Sequence, residues 1–160
     1  MSIEEINSLS REGFLEALGW IFEHSPWVAE RAWPGRPFAT IEDLHAAMVA
    51  EVTRATPDEQ LSLLCAHADL GSRSRMSPAS EAEQASAGLD RLTPEEYERL
   101  TCANRAYRER FGFPFLYAVK TSTKHDILKA LEQRLEASPD DEFRRALEQV
   151  YRIALFRLRG

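Results

Sequence analysis

Three side chains in this 160-residue chain stand where they could do chemistry. His67 follows Cys65-Ala66, where a helical pattern gives way to a run holding Gly71, Pro78 and several serines. Its imidazole titrates nearest neutrality of all side chains, which suits a general acid or base, although from position alone a surface or satisfied core histidine is the commoner reading. Glu83 lies three residues after Ser80, and that spacing reads as a capping box in which the carboxylate reaches back to the cap amide. The same helix start could instead present Ser80, Glu83 and Gln84 to a ligand, because the first amides of a helix are unpaired. Arg157 is the third. Phe143, Val150 and Arg157 recur every seven residues, so the arginine shares a face with apolar side chains, whereas Arg152 and Arg159 fall off it. A guanidinium on such a face stays charged and needs a partner. The partner is either an internal carboxylate or a carboxylate- or imide-like ligand held in the guanidinium fork.

Metal chemistry has little to build on. Cys65-Ala66-His67 is an isolated pair of ligand types, and His24, His45 and His125 are scattered. No C-x-x-C or H-E-x-x-H spacing occurs, nor a glycine-rich phosphate loop, nor a G-x-S-x-G elbow. The residues therefore give metal binding weak support. Two cysteines, Cys65 and Cys102, are too few for a disulfide framework and fit a reducing compartment.

The elements that must carry these residues are helical. Ser10 precedes Phe14, Leu15, Leu18, Ile21 and Phe22 on one face. Ser25-Pro26 reads as a cap followed by a first-turn proline, opening a short helix that ends before Pro34. Thr40 with Asp43, Thr56-Pro57-Asp58-Glu59, Ser80 with Glu83, Thr93-Pro94-Glu95-Glu96, Thr123 and Ser138-Pro139 mark six further starts. Gly88 and Gly112 are placed to end helices. His67 to Ala79 reads as a functional or mobile loop, and Phe113 to Val119 is apolar without helical period, hence extended or irregular. The reading is all-α, a single compact domain of about eight helices spanning residues 1–160.

Composition narrows the function classes. Hydrophobic residues at 44% and charged residues at 29% are ordinary for a globular protein. Twenty basic against 26 acidic residues give −6, and the basic residues are interleaved with acids rather than gathered in a stripe, which argues against nucleic acid. The longest apolar run, Phe113 to Val119, is far short of the ~20 residues a membrane span needs. Met1-Ser2-Ile3-Glu4-Glu5 lacks the apolar stretch of a signal peptide, and Leu158-Arg159-Gly160 is not a peroxisomal S-K-L address, so a cytoplasmic location is expected.

Several ordered motifs carry a family likeness. Ala66-His67-Ala68-Asp69-Leu70-Gly71, Ser80-x-x-Glu83-Gln84-x-x-Ala87-Gly88-Leu89, Asn104-x-x-Tyr107-x-x-x-Phe111-Gly112-Phe113-Pro114-Phe115 and Arg157-Leu158 resemble the 2-oxo-4-hydroxy-4-carboxy-5-ureidoimidazoline (OHCU) decarboxylases. So do Glu23-His24-Ser25-Pro26-Trp27-Val28-Ala29 and Arg36-Pro37-Phe38, so the likeness covers almost the whole chain. One departure is Ala68, where the family usually has proline; its loss frees the backbone after His67. The resemblance implies an all-helical, cofactor-independent enzyme that converts OHCU to (S)-allantoin and carbon dioxide, third in urate oxidation after urate oxidase and hydroxyisourate hydrolase. It places the catalytic histidine on His67, its acidic partner on Glu83 and a C-terminal arginine on Arg157. It places substrate contacts on Ala68, on the helix start Ser80, Glu81, Ala82, Glu83 and Gln84, on the backbone of Phe115, Leu116, Tyr117, Ala118 and Val119, and on Arg157. The expected partners are the small molecules OHCU and (S)-allantoin, with no nucleic acid and no membrane, and the resemblance allows a homodimer. A helical interaction domain without activity would share the composition, but gives no reason for an inward-facing Arg157.

Overall fold

Hydroxyl side chains start most of the helices in the computed structural model, which describes residues 1–72 and 76–160. Ser10, Thr40, Thr56, Thr93 and Thr123 each accept a hydrogen bond from the backbone amide three residues on, as the sequence predicts. In three of these the third helical residue (Glu59, Glu96 or Asp126) returns a bond to the cap amide. Among the described residues there are nine α-helices and no strand, so the fold is all-α. The additional helix is α1 (Ile3–Asn7), whose Ser2–Glu5 capping box is written in the acidic N-terminal run.

The described residues gather into two compact units. The first comprises residues 1–66 and 151–160. It holds α1, α2 (Arg11–Leu18), α3 (Trp27–Ala32), a 3-10 turn (Trp33–Gly35), α4 (Ile41–Arg54), α5 (Pro57–Cys65) and the last turns of α9 (Pro139–Arg159). Phe14, Val28, Leu44, Met48, Val52, Leu63 and Leu64 are inaccessible to solvent and form its core. The Phe14 ring meets Trp33 edge-on at 5.5 Å and stacks on Phe38 at 6.5 Å. Asn7 fastens Phe38 by two bonds, donating to its carbonyl at 2.8 Å and accepting from its amide at 2.9 Å.

The second unit is residues 67–150: α6 (Pro78–Ser86), α7 (Pro94–Phe111), α8 (Lys124–Arg134) and the first turns of α9. Its core gathers around Tyr107, whose ring lies 4.5 Å from Phe111, 5.9 Å from Phe113 and 5.4 Å from Phe115. Helix α7 stops at Gly112, which takes a left-handed φ of 81° that a side chain would resist. The chain then runs without regular structure through Phe113 to Val119, as expected.

Two helix starts differ from the sequence expectation. Ser25 does not cap α3. Its hydroxyl turns back and donates to the Glu23 carbonyl at 2.9 Å, and Pro26 occupies the cap position without a side-chain bond. Ser80 does not cap α6 either. The cap is Ser77, followed by Pro78 at the first helical position, and the Ser80 amide donates to the Ser77 hydroxyl at 3.2 Å. The expected loop from His67 is correspondingly shorter, and its residues 73–75 lie outside the described residues.

Candidate active site

His67 is placed by what stops α5. The helix closes at Ala66, and His67 follows at 8% exposure, the first residue of the second unit. Beyond Ala68, the three residues Asp69, Leu70 and Gly71 are each held by a different side chain. Arg108 of α7 pairs with Asp69 at 3.0 Å. Asn104, one turn earlier on α7, donates to the Leu70 carbonyl at 2.9 Å. Gln84 of α6 accepts from the Gly71 amide at 2.9 Å. Gly71 has φ +71°, and a Cβ there would come within 2.4 Å of Leu100 Cδ2. The histidine therefore sits at the head of a segment whose backbone has little freedom.

Moving the cap from Ser80 to Ser77 changes what α6 offers. Ser80 and Glu81 do not present unpaired first-turn amides: the Ser80 amide is used by Ser77 Oγ and the Glu81 amide by the Ser77 carbonyl. Glu83 is not the return arm of a capping box, because its spacing partner Ser80 already lies inside the helix. Ser80, Glu83, Gln84 and Ala87 share one face by their spacing. That face is half-buried to buried, whereas Glu81 and Ala82 are exposed. The Gln84 carbonyl oxygen, expected to read a ligand, is the acceptor that fixes Gly71, which leaves its amide nitrogen as the group suited to that task. Ser72, Met76, Glu81, Gln84, Ala85, Leu89 and Asp90 line a groove of about 380 Å³.

In the irregular stretch Phe115, Leu116, Ala118 and Val119 are buried and Tyr117 is half-buried. Phe115 and Tyr117 stack at 5.9 Å. The Ala118 amide donates to Gln149 Oε1 at 2.9 Å and the Val119 carbonyl accepts from the Ser122 amide at 3.0 Å. Gln149 and Ser122 thus anchor the downstream end. The upstream end rests on Arg134, whose guanidinium lies 5.1 Å from the Phe115 ring. Arg134 is itself held by Glu142, a fully buried carboxylate that accepts from Arg134 Nε and from the Tyr107 hydroxyl, both at 2.6 Å. Burial and that hydrogen bond push the Tyr107 phenol well above its ordinary value, so it stays protonated and donates to Glu142.

Arg157 belongs to the first unit and is buried, with 3% of its side chain exposed. Its Nη1 donates to the Trp20 and Ile21 carbonyls at 3.3 Å each and to Glu23 Oε1 at 3.2 Å. The inward orientation expected from the seven-residue spacing is present, and Arg152 and Arg159 are exposed as expected. Of the two partners the sequence left open, the internal carboxylate exists: it is Glu23. The sequence reading singled out neither Glu23 as that carboxylate nor Glu142, Arg134 and Gln149 as supports. Glu142 reads as an ordinary first-turn acid, and only the fold reveals its burial. Among the described residues no three His, Cys, Asp or Glu side chains gather as a metal site.

The OHCU decarboxylase family model matches residues 7–159, which takes in every candidate residue above. The chain belongs to the OHCU decarboxylase family. It is 49% identical over 158 residues to the 2-oxo-4-hydroxy-4-carboxy-5-ureidoimidazoline decarboxylase of Haloferax volcanii, covering 99% of this chain and 94% of that protein. It is 45% identical to the uric acid degradation bifunctional protein PucL of Bacillus subtilis, covering 98% of this chain and 32% of that protein. A crystal structure of (S)-allantoin synthase superposes with a TM-score of 0.78 at 38% identity; 99% of this chain matches, and it spans about half, 53%, of that chain. An OHCU decarboxylase crystallised in the presence of (S)-allantoin, at 21% identity and a TM-score of 0.70 over 82% of this chain and 87% of that one, shares the fold.

Proposed function

We propose that this protein decarboxylates OHCU to (S)-allantoin without a cofactor, that residues 1–160 act as one catalytic domain, and that His67, Glu83 and Arg157 carry the reaction. The observation that carries this reading is the family match over residues 7–159, which contains a buried histidine on a constrained segment. Cys65 and Cys102 are exposed and stand outside any disulfide, which supports a reducing, cytoplasmic setting.

The substrate supplies its own electron sink. One ring carbon carries both the hydroxyl and the carboxylate, and the neighbouring carbon is an imine. When the carbon–carboxylate bond breaks, carbon dioxide leaves and the electron pair forms a double bond between the two ring carbons. The imine nitrogen takes the displaced pair and a proton. The enol then loses its hydroxyl proton and gains one on the neighbouring carbon, giving the carbonyl and the new C–H bond of allantoin. No electron leaves the substrate, so the protein's task is to hold the ring, steady charge and deliver one proton to one face. Arg157 steadies developing charge on ring oxygen. His67 and Glu83 manage the hydroxyl and C–H protons. Ala68, the α6 face with Ser80, Gln84 and its neighbours Glu81 and Ala82, and the backbone of Phe115 to Val119 would read the ureide edges.

The test is to generate OHCU from urate with the two preceding enzymes, add the protein and follow circular dichroism. The expected result is rapid growth of the (S)-allantoin signal, abolished in His67→Ala while the helical far-ultraviolet spectrum is kept. Optically inactive allantoin formed at an unchanged slow rate would overturn the reading.

A further inference from the structure

The buried partner of Arg157 is a strange choice for an enzyme whose substrate is an anion. Glu23 is 2% exposed, its Oε1 sits 3.2 Å from Arg157 Nη1, and both side chains are almost wholly removed from water. The chain goes to some length to put it there. His24, the next residue, takes a left-handed φ of 47°, a conformation that a non-glycine residue adopts at a cost. Ser25 gives up the cap of α3 to donate to the Glu23 carbonyl instead. The same Arg157 nitrogen is held by the Trp20 and Ile21 carbonyls, so the turn from Trp20 to Ser25 wraps one side of the guanidinium.

A decarboxylation destroys the negative charge of the carboxylate. A full positive charge held against that group binds the substrate more tightly than the transition state and slows the step. An arginine already neutralised by a carboxylate keeps its directional N–H donors but loses its net pull on anions. We propose that Glu23 is a positioning residue that acts through Arg157. It fixes the guanidinium and cancels its net charge, so that Arg157 serves as a hydrogen-bond donor to ring oxygen and not as a clamp on the departing carboxylate. The inference rests on Arg157 touching substrate.

The two contributions separate kinetically. Glu23→Gln keeps an oxygen acceptor facing Arg157 and removes only the charge. The expected result is a kcat lowered about tenfold with a KM for OHCU that falls about fivefold, the signature of a stabilised ground state. A residue that merely supports the fold would lower the amount of active enzyme and leave KM unchanged. Binding gives the second readout, by calorimetry with two stable ureides. Allantoate, a ureide carboxylate, should bind Glu23→Gln about tenfold more tightly than the wild type, while neutral allantoin binds both alike. Unchanged kcat, KM and allantoate affinity in Glu23→Gln would overturn the proposal. If that variant fails to fold, the wild type decides: allantoate binding within about threefold of allantoin supports a neutralised Arg157, and a larger preference for allantoate overturns it. Arg157→Gln distinguishes the underlying reading. Full turnover in Arg157→Gln removes Arg157 from the reaction and the proposal with it, whereas a dead Arg157→Gln beside a wild-type-like Glu23→Gln removes only the role of Glu23.

Discussion

Tyr107→Phe isolates a single hydrogen bond at the centre of the second unit. The ring keeps its contacts with Phe111, Phe113 and Phe115, so the packing is unchanged and only the hydroxyl is lost. That hydroxyl donates to Glu142 at 2.6 Å, to a carboxylate with no exposure, and among the described residues Glu142 Oε2 has no hydrogen bond to compensate. A hydrogen bond to a charged group contributes ~1.5–3 kcal/mol, and the buried, under-coordinated carboxylate places this one in the upper half, about 2–3 kcal/mol. For a chain of this length each kcal/mol moves Tm by roughly 2–4 °C, so the variant should melt about 5–10 °C lower. Glu142→Leu should cost more, ~3–5 kcal/mol, because it leaves Arg134, with 14% of its side chain exposed, without its carboxylate. Urea and thermal unfolding at pH 7 measure both, with the allantoin dichroism assay run at 20 °C on the same samples. Tyr107→Phe should retain turnover. A fall in Tm below about 2 °C would show that the bond contributes little, and lost turnover at unchanged Tm would assign Tyr107 a chemical role.

Three further outcomes follow from neighbouring contacts. Gly71→Ala should destabilise by about 2–4 kcal/mol in urea unfolding, because φ is +71° and the added Cβ would collide with Leu100 in the core; a neutral result would mean that the segment after His67 can shift. Ala68→Pro should leave turnover within about threefold of wild type, because Asp69, Leu70 and Gly71 are already tied; a large gain in kcat would mean that the histidine is loosely held. Glu96 is drawn down to about 2 by Lys124 and by the Thr93 amide, from 4.5, so its contribution to stability is present above pH ~4.5 and is lost as pH falls toward 2. Lys124→Met should return Glu96 toward its ordinary range and flatten the pH dependence of Tm between pH 2 and 4.5; an unchanged Glu96 titration by NMR would refute the pairing.

Helix starts were legible because their chemistry is local. Thr56, Thr93 and Thr123 satisfy amides three residues away, and nothing distant can change that arithmetic. Where two candidate caps compete within a few residues, local reasoning has no means of choosing. Ser77-Pro78 and Ser80-x-x-Glu83 are both valid starts; the proline pre-sets the backbone of the first turn, and the earlier start prevails. The inward face of Arg157 was legible from period alone, but its partner was not. Glu23 lies 134 residues away, and carboxylate identity carries no sign of the left-handed turn that aims it. Glu142 was missed for the same reason, since an acid in the first turn of a helix is usually explained by the helix dipole.

The chemistry and the architecture make the same demand. In the proposed mechanism the imine of the substrate accepts the electrons, so no group on the protein has to be unusually reactive, and the selectivity of the product depends on where one proton arrives. Rate and enantiomer then depend on the positions of a few groups, which must resist small displacements. With His67 in the proposed role, the second unit would meet that demand with redundancy: three side chains from two helices hold the three residues that follow His67 and Ala68. Proline at position 68 would restrict the histidine backbone through a local steric clash, and the ties from Arg108, Asn104 and Gln84, together with the conformation that only glycine adopts freely at position 71, supply an equivalent restriction from outside the dipeptide.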